Sequence, residues 1–164
     1  MSDDSLRLVT VERTRTGHFT ATNARGGTID FGTGTGTGTG AGTGAGDGTE
    51  FTPVELLLAA IGGCTAADVD ASTSRHTEPT AFTVTVSGHK VSDDDGNRMT
   101  DLAVSFHVTF PAGPQGDRSR AILPRAVAVS HDRLCTVSRT VEAGTPISVS
   151  VDDVTAEDAP AQDV

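Results

Sequence analysis

Tryptophan and tyrosine are missing from this sequence, and Lys90 is the only lysine among twelve cationic side chains. Six phenylalanines make up the whole aromatic complement and the apolar fraction is 35%, so any core must be built from small aliphatic groups. One chain of that kind buries little surface by itself, and association of copies would supply the rest. Two cysteines, Cys64 and Cys135, are too few for a disulfide scaffold. Far apart in a compartment that keeps thiols reduced, they read as inert or redox-active rather than as a permanent staple.

Other absences narrow the function. No apolar run approaches membrane-spanning length, and the opening MSDDSLRLVTVERTRT is polar where a secretory signal needs an apolar stretch, so the expectation is a cytoplasmic protein with no membrane partner. Acidic residues outnumber basic ones 22 to 12, a formal net charge of -10, which argues against nucleic acid. There is no CxxC and no HExxH, and His18, His76, His89, His107 and His131 are scattered, so no metal is expected. A G-x-S-x-G elbow is also missing, which weakens a serine-hydrolase reading.

What is present reads as one domain over residues 1–153 with a disordered tail over 154–164. Glycine occupies every even position from Gly32 to Gly48. A strict period of two cannot give the i, i+2, i+5 spacing of a dinucleotide loop, and no GK[ST] follows, so residues 32–49 read as a flexible insertion. Before it, LRLVTVERT and HFTATNARGGTIDF alternate like a hairpin or three-stranded meander.

After it, Thr52 as N-cap and Pro53 at the first position open a helix from Val54 to about Ser74, with Glu50 and Glu55 near its positive end. Its first half has no clear polar face, so it should be buried on all sides. AFTVTVSGHKV and MTDLAVSFHVTF, separated by DDDGN, predict an antiparallel hairpin. DRSRAILPRAVAVSHDRL looks helical but interrupted at Pro124; CTVSRTVEAG begins a short helix at Cys135, and PISVSVDDV predicts a last strand.

The two thiols carry the remaining chemistry. At the start of a helix, Cys135 would meet backbone N–H groups that favour a thiolate. Cys64 lies too deep in its helix for that help and needs a cation from elsewhere. From residue types alone, each could equally be a small apolar side chain in a core.

The stretches TPVELLLAAIGGCTAADV and RAVAVSHDRLCTVSRTVEAGTPI, in that order, resemble the osmotically inducible protein C and organic hydroperoxide resistance family. That resemblance implies an α+β fold in which two chains intertwine as a homodimer, long central helices wrapped by antiparallel β-sheets. Gly62 and Gly63 would then let helices approach closely beside the thiol. It further implies a thiol peroxidase in which Cys64 attacks an organic hydroperoxide, Cys135 resolves the sulfenic acid as a disulfide, and an external dithiol reduces it, without a bound cofactor.

One position departs from the pattern. The peroxidase members carry a glutamate ten residues before the first cysteine, paired with an arginine of the amino-terminal hairpin; here that position is Val54. Glu55 falls on the opposite side of the helix from Cys64, at about 100° per residue. Asp68 shares the thiol's face and would raise its pKa unless an arginine offsets it; Arg13 and Arg15 are the candidates, with Arg15 preferred. The sequence is closer to a subgroup with an apolar residue at the glutamate's place. A non-catalytic binding protein or a redox sensor using the cleft between subunits is the rival reading.

Overall fold

The structure is a computed structural model and describes residues 5–33 and 50–151. Most of the glycine tract and the carboxy-terminal tail lie outside the described residues.

Three short strands, β1 (Val9–Arg15), β2 (His18–Asn23) and β3 (Thr28–Gly32), form an antiparallel sheet in that order, the meander expected from their alternation. Gly17 takes φ 76° at the first turn; at the second, Asn23 Oδ1 accepts from the N–H groups of Arg25 and Gly27. The strand β3 includes Gly32, so the insertion begins later than its glycine period suggests. Register places Val11, Ala21 and Ile29 side by side, next to the stacked rings of Phe19 and Phe31. This apolar face is buried only at Phe31; Val9, Val11 and Ile29 are exposed.

The sheet is joined to the rest of the chain at its β3 end. Phe31 bridges Phe51, and the N–H of Gly32 donates to the Phe51 carbonyl at 3.0 Å. Beside that bridge the buried His18 sets Nδ1 2.6 Å from Glu50 Oε2. Gly32 fits closely there: a Cβ would stand 2.8 Å from that same oxygen and 3.0 Å from the Gly17 carbonyl oxygen.

The long helix α1 (Pro53–Thr73) starts as its sequence dictates: Thr52 and Glu55 form a reciprocal capping box and Pro53 sits in the first turn. Ile61, Gly62, Thr65, Val69 and Thr73 are buried, a seam at helical spacing. The expectation of burial on every side is therefore corrected for one chain, which covers a single stripe of the helix. The hairpin of β4 (Ala81–Asp93) and β5 (Gly96–Thr109) packs through β4 on α1. Its turn is the predicted acidic one, with Gly96 at φ 105°. Gly62 serves this packing: a Cβ there would meet Val86 at 2.9 Å, whereas nothing lies within 4 Å of Gly63. The close approach is thus helix to strand, and the expected helix-to-helix contact at these glycines is not made within one chain.

The next helix, α2 (Pro114–Val129), runs through Pro124 without a break, contrary to the predicted interruption. Pro124 removes one internal hydrogen bond, and the packing of α2 on α1 holds the helix across the gap. Ser119 Oγ, fully buried, donates to the Thr73 carbonyl at 2.9 Å and fixes that packing. A π-helical turn (Ser130–Leu134) follows, and Cys135 N–H closes it onto the Ser130 carbonyl at 2.8 Å. Then α3 (Thr136–Glu142) ends before Gly144, at φ 59°. The last strand predicted for PISVSVDDV is not formed over residues 145–151. A strand needs an edge to pair with, and one chain sets none beside this segment. The architecture is α+β with antiparallel sheets.

Candidate active site

Two elements distant in sequence deliver the two sulfurs. Cys135 is the N-cap of α3, with extended backbone (φ -65°, ψ 95°) and no exposed surface. Its Sγ takes the place of a capping hydroxyl oxygen, accepting from the Ser138 N–H at 3.4 Å, and lies 3.2 Å from Ser138 Oγ. Cys64, half-buried on α1, is aimed at the same helix start: the N–H groups of Val137 and Thr136 bond to it, and so does Cys135. Both cysteines are free thiols here, and each is within hydrogen-bonding reach of the other.

Their environments push them in opposite directions. Burial drives the Cys64 thiol up, and the neighbouring Cys135 adds to the rise, outweighing the two N–H groups that favour its thiolate. Burial acts upward on Cys135 too, but the hydroxyls of Ser138 and Thr65, the Ser138 N–H and the Cys64 thiol overcome it and hold Cys135 below the ordinary range. Two acids this close titrate as a unit, and their surroundings make Cys135 the more acidic of the two.

Asp68, expected on the thiol's face, and Glu55, expected on the opposite side, both have partners of their own. Asp68 Oδ2 accepts from the buried Ser130 Oγ at 2.8 Å, and Asp68 is not among the groups that shift either thiol. Glu55 is spent on the helix cap: the Thr52 N–H and hydroxyl both donate to it and lower its pKa. Arg15 closes β1, in register with His18. The thiol pair is thus polarised chiefly by hydroxyl and backbone groups.

Ser138 and Thr65 were not singled out from the sequence. Ser138 had a signal, since it stands three residues after Cys135, the spacing of a cap to its N3 partner. Thr65 had none, because its meeting with Cys135 is tertiary. A cleft of about 410 Å³ adjoins the pair, with Thr65 and Ser138 in its wall and Ile61, Leu102, Val104 and Phe106 forming apolar sides. His131 and Glu142 also line it, with Nδ1 and Oε1 3.7 Å apart. Among the described residues, no cluster of three or more His, Cys, Asp or Glu could hold a metal, and no helix is long and apolar enough to cross a membrane.

Similar folds occur among solved structures, whereas no curated protein matches the chain. An OsmC-like protein of unknown function from Vibrio cholerae O1 superposes with TM-score 0.63 at 14% identity, over 84% of this chain and 94% of that one. An OsmC-like protein from Mycoplasma pneumoniae gives 0.59 at 15% identity, over 85% and 89%. The organic hydroperoxide resistance protein OsmC of Legionella pneumophila gives 0.54 at 14% identity, over 83% and 88%. At these identities the likeness carries the fold alone. The family model described as OsmC-like protein matches residues 46–150, a stretch that holds both cysteines, the long hairpin and all three helices, and the chain belongs to that family.

Proposed function

We propose that this protein is a thiol-dependent peroxidase that reduces organic hydroperoxides through Cys64 and Cys135. The observation that carries the reading is the meeting of the two sulfurs at the start of α3, beside an apolar cleft. In the first step the Cys64 thiolate attacks the terminal oxygen of ROOH; the O–O bond breaks, an alkoxide leaves and takes a proton, and Cys64 becomes sulfenic acid. Cys135 then attacks that sulfur, hydroxide leaves and is protonated to water, and the disulfide is returned to two thiols by an external dithiol. The organic hydroperoxide resistance protein of Legionella pneumophila, which shares the fold, lends its name to the same reading.

A cytoplasmic homodimer is the form in which we place this chemistry. The exposed Val9, Val11 and Ile29 on one sheet face and the exposed Phe51 ask for a covering surface that one chain lacks.

Consumption of cumene hydroperoxide with dithiothreitol as reductant tests the proposal. Cys64→Ser abolishes it, whereas Cys135→Ser leaves a sulfenic acid on Cys64 that dimedone traps. Equal consumption by the wild type and Cys64→Ser would remove the peroxidase reading. The rise of Cys64 is what favours a non-catalytic protein that holds an apolar or thiol-reactive ligand in the cleft, or a redox sensor. Either would show no turnover, the binder with ligand retained in native mass spectrometry.

A further inference from the structure

Cys135 has a better-built site than a resolving thiol needs. A cysteine that only closes a disulfide must reach its partner, yet this one is sealed from solvent and ringed by donors. Ser138 brings both its Oγ, at 3.2 Å, and its N–H, at 3.4 Å, to the sulfur. Thr65 adds a second hydroxyl from α1, the residue next to Cys64. The protonated Cys135 thiol donates to Ser138 Oγ, but hydroxyls can turn their protons, so once the thiol ionises the two hydroxyls and the Ser138 N–H form a cradle for the anion. Cys64 has the complementary features, partial exposure and its own contact to Cys135.

From this geometry we infer that Cys135 carries the charge of the resting dithiol, cradled by Ser138 and Thr65, and acts as base and acid for Cys64 before it acts as nucleophile. The inference rests on the peroxidase reading and adds to it a proton route. Cys135 thiolate takes the proton of Cys64 as hydroperoxide arrives. The new Cys64 thiolate attacks the terminal oxygen, leaving sulfenic acid and an alkoxide. That alkoxide takes the proton back from Cys135 and leaves as an alcohol. Cys135, again a thiolate, displaces hydroxide from the Cys64 sulfenic acid and forms the disulfide; the hydroxide gains a proton from solvent. Two electrons pass from the sulfurs to the peroxide, and the charge is conserved at each step.

Other ionisable groups stand close enough to need naming. On α1, Asp68 is held by Ser130. On the π turn and α3, His131 and Glu142 line the cleft, Asp132 and Arg133 are exposed, and Arg139 donates to the Asp132 carbonyl. The hairpin offers only Leu102, Val104 and Phe106 to that cleft, and α2 only Val127. None of these supplies the cradle's hydroxyl donors, so removing Ser138 and Thr65 isolates it.

Thiolate absorbance at 240 nm, followed against pH in the full-length protein, separates the two sulfurs. The low-pH titration step should survive in Cys64→Ser and disappear in Cys135→Ser. Ser138→Ala with Thr65→Val should move it upward, shift the pH–rate profile of hydroperoxide consumption in the alkaline direction, and lower the neutral-pH rate about tenfold or more. Ser138→Thr, which keeps the hydroxyl, should restore much of the profile, which a packing defect would not allow. A low step that persists in Cys135→Ser and vanishes in Cys64→Ser, in a protein that still consumes hydroperoxide, overturns the inference and leaves the peroxidase. A wild type that consumes no hydroperoxide yet shows the Cys135 step overturns the catalytic roles of both cysteines while retaining the cradle.

Discussion

Among the helices, Val69, Thr73, Ser119 and Ser130 show no exposed surface, and the hydroxyls of Ser119 and Ser130 bond across elements. In the amino-terminal sheet only His18, Phe31 and Gly32 are buried, all at one end, while Val9, Val11 and Ile29 stand open. The thiol site lies in the half whose elements are tied to one another by side-chain hydrogen bonds, although Leu134 and Val141 near it stand open. The other half is finished only in its backbone hydrogen bonding, and its apolar face needs a surface from outside. Side-chain hydrogen bonds between elements make the difference. They tie α1 to α2 and to the π turn, whereas a bridge and one His–Glu pair tie the sheet to the helices.

The hardest test of the helical half is Gly116→Ala. A Cβ at that position would sit 1.9 Å from the Pro111 carbonyl oxygen, and that turn is held by Arg120, whose Nη1 donates to the Phe110 carbonyl at 3.0 Å. The expected loss is about 3 kcal/mol, read by urea unfolding. A loss near zero would mean the turn yields and the helices are less closed than their burial indicates.

A smaller effect should come from the pin. His18→Leu leaves the Glu50 carboxylate without its partner and should cost about 1–2 kcal/mol. Amide exchange in β1–β3 should quicken while α1 and α2 keep their protection. Equal loss of protection in both halves would show that they unfold as one unit, and the contrast between them would be only apparent in the static contacts.

The least costly change is Glu55→Ala, worth under about 1 kcal/mol because the cap is exposed to solvent. The folded pKa of Glu55 is lowered, so its contribution is complete above the ordinary carboxylate range and lost as the pH falls through the lowered value. Thermal unfolding of wild type and variant should therefore converge in acid. A gap that stays constant with pH would show that Glu55 acts through something other than its charge.

Legibility in the sequence followed the range of the interaction. The start of α1 was plain because Thr52, Pro53 and Glu55 act on their own neighbours, and the long hairpin was plain because DDDGN sits between alternating segments. Pro124 misled, since its cost is local and the packing that meets it is not. The roles proposed for the cysteines rest on resemblance, and their environment was not legible: Thr65, Ser138 and the bond of Asp68 to Ser130 depend on tertiary packing around α1. The alternation in residues 147–151 predicted a strand that the structure does not form, since a strand exists only beside an edge, which periodicity does not supply.

That same segment sets how the chain must behave in a crowded solution. Ile147, Val149 and Val151 are 89%, 85% and 83% exposed, alternating with serines, so they form an adhesive ribbon. Added head to tail, such ribbons propagate without limit, whereas a reciprocal swap between two copies is satisfied after a single exchange. Whether copies would close as a pair or add on without end would therefore turn on how positions 145–151 find an edge.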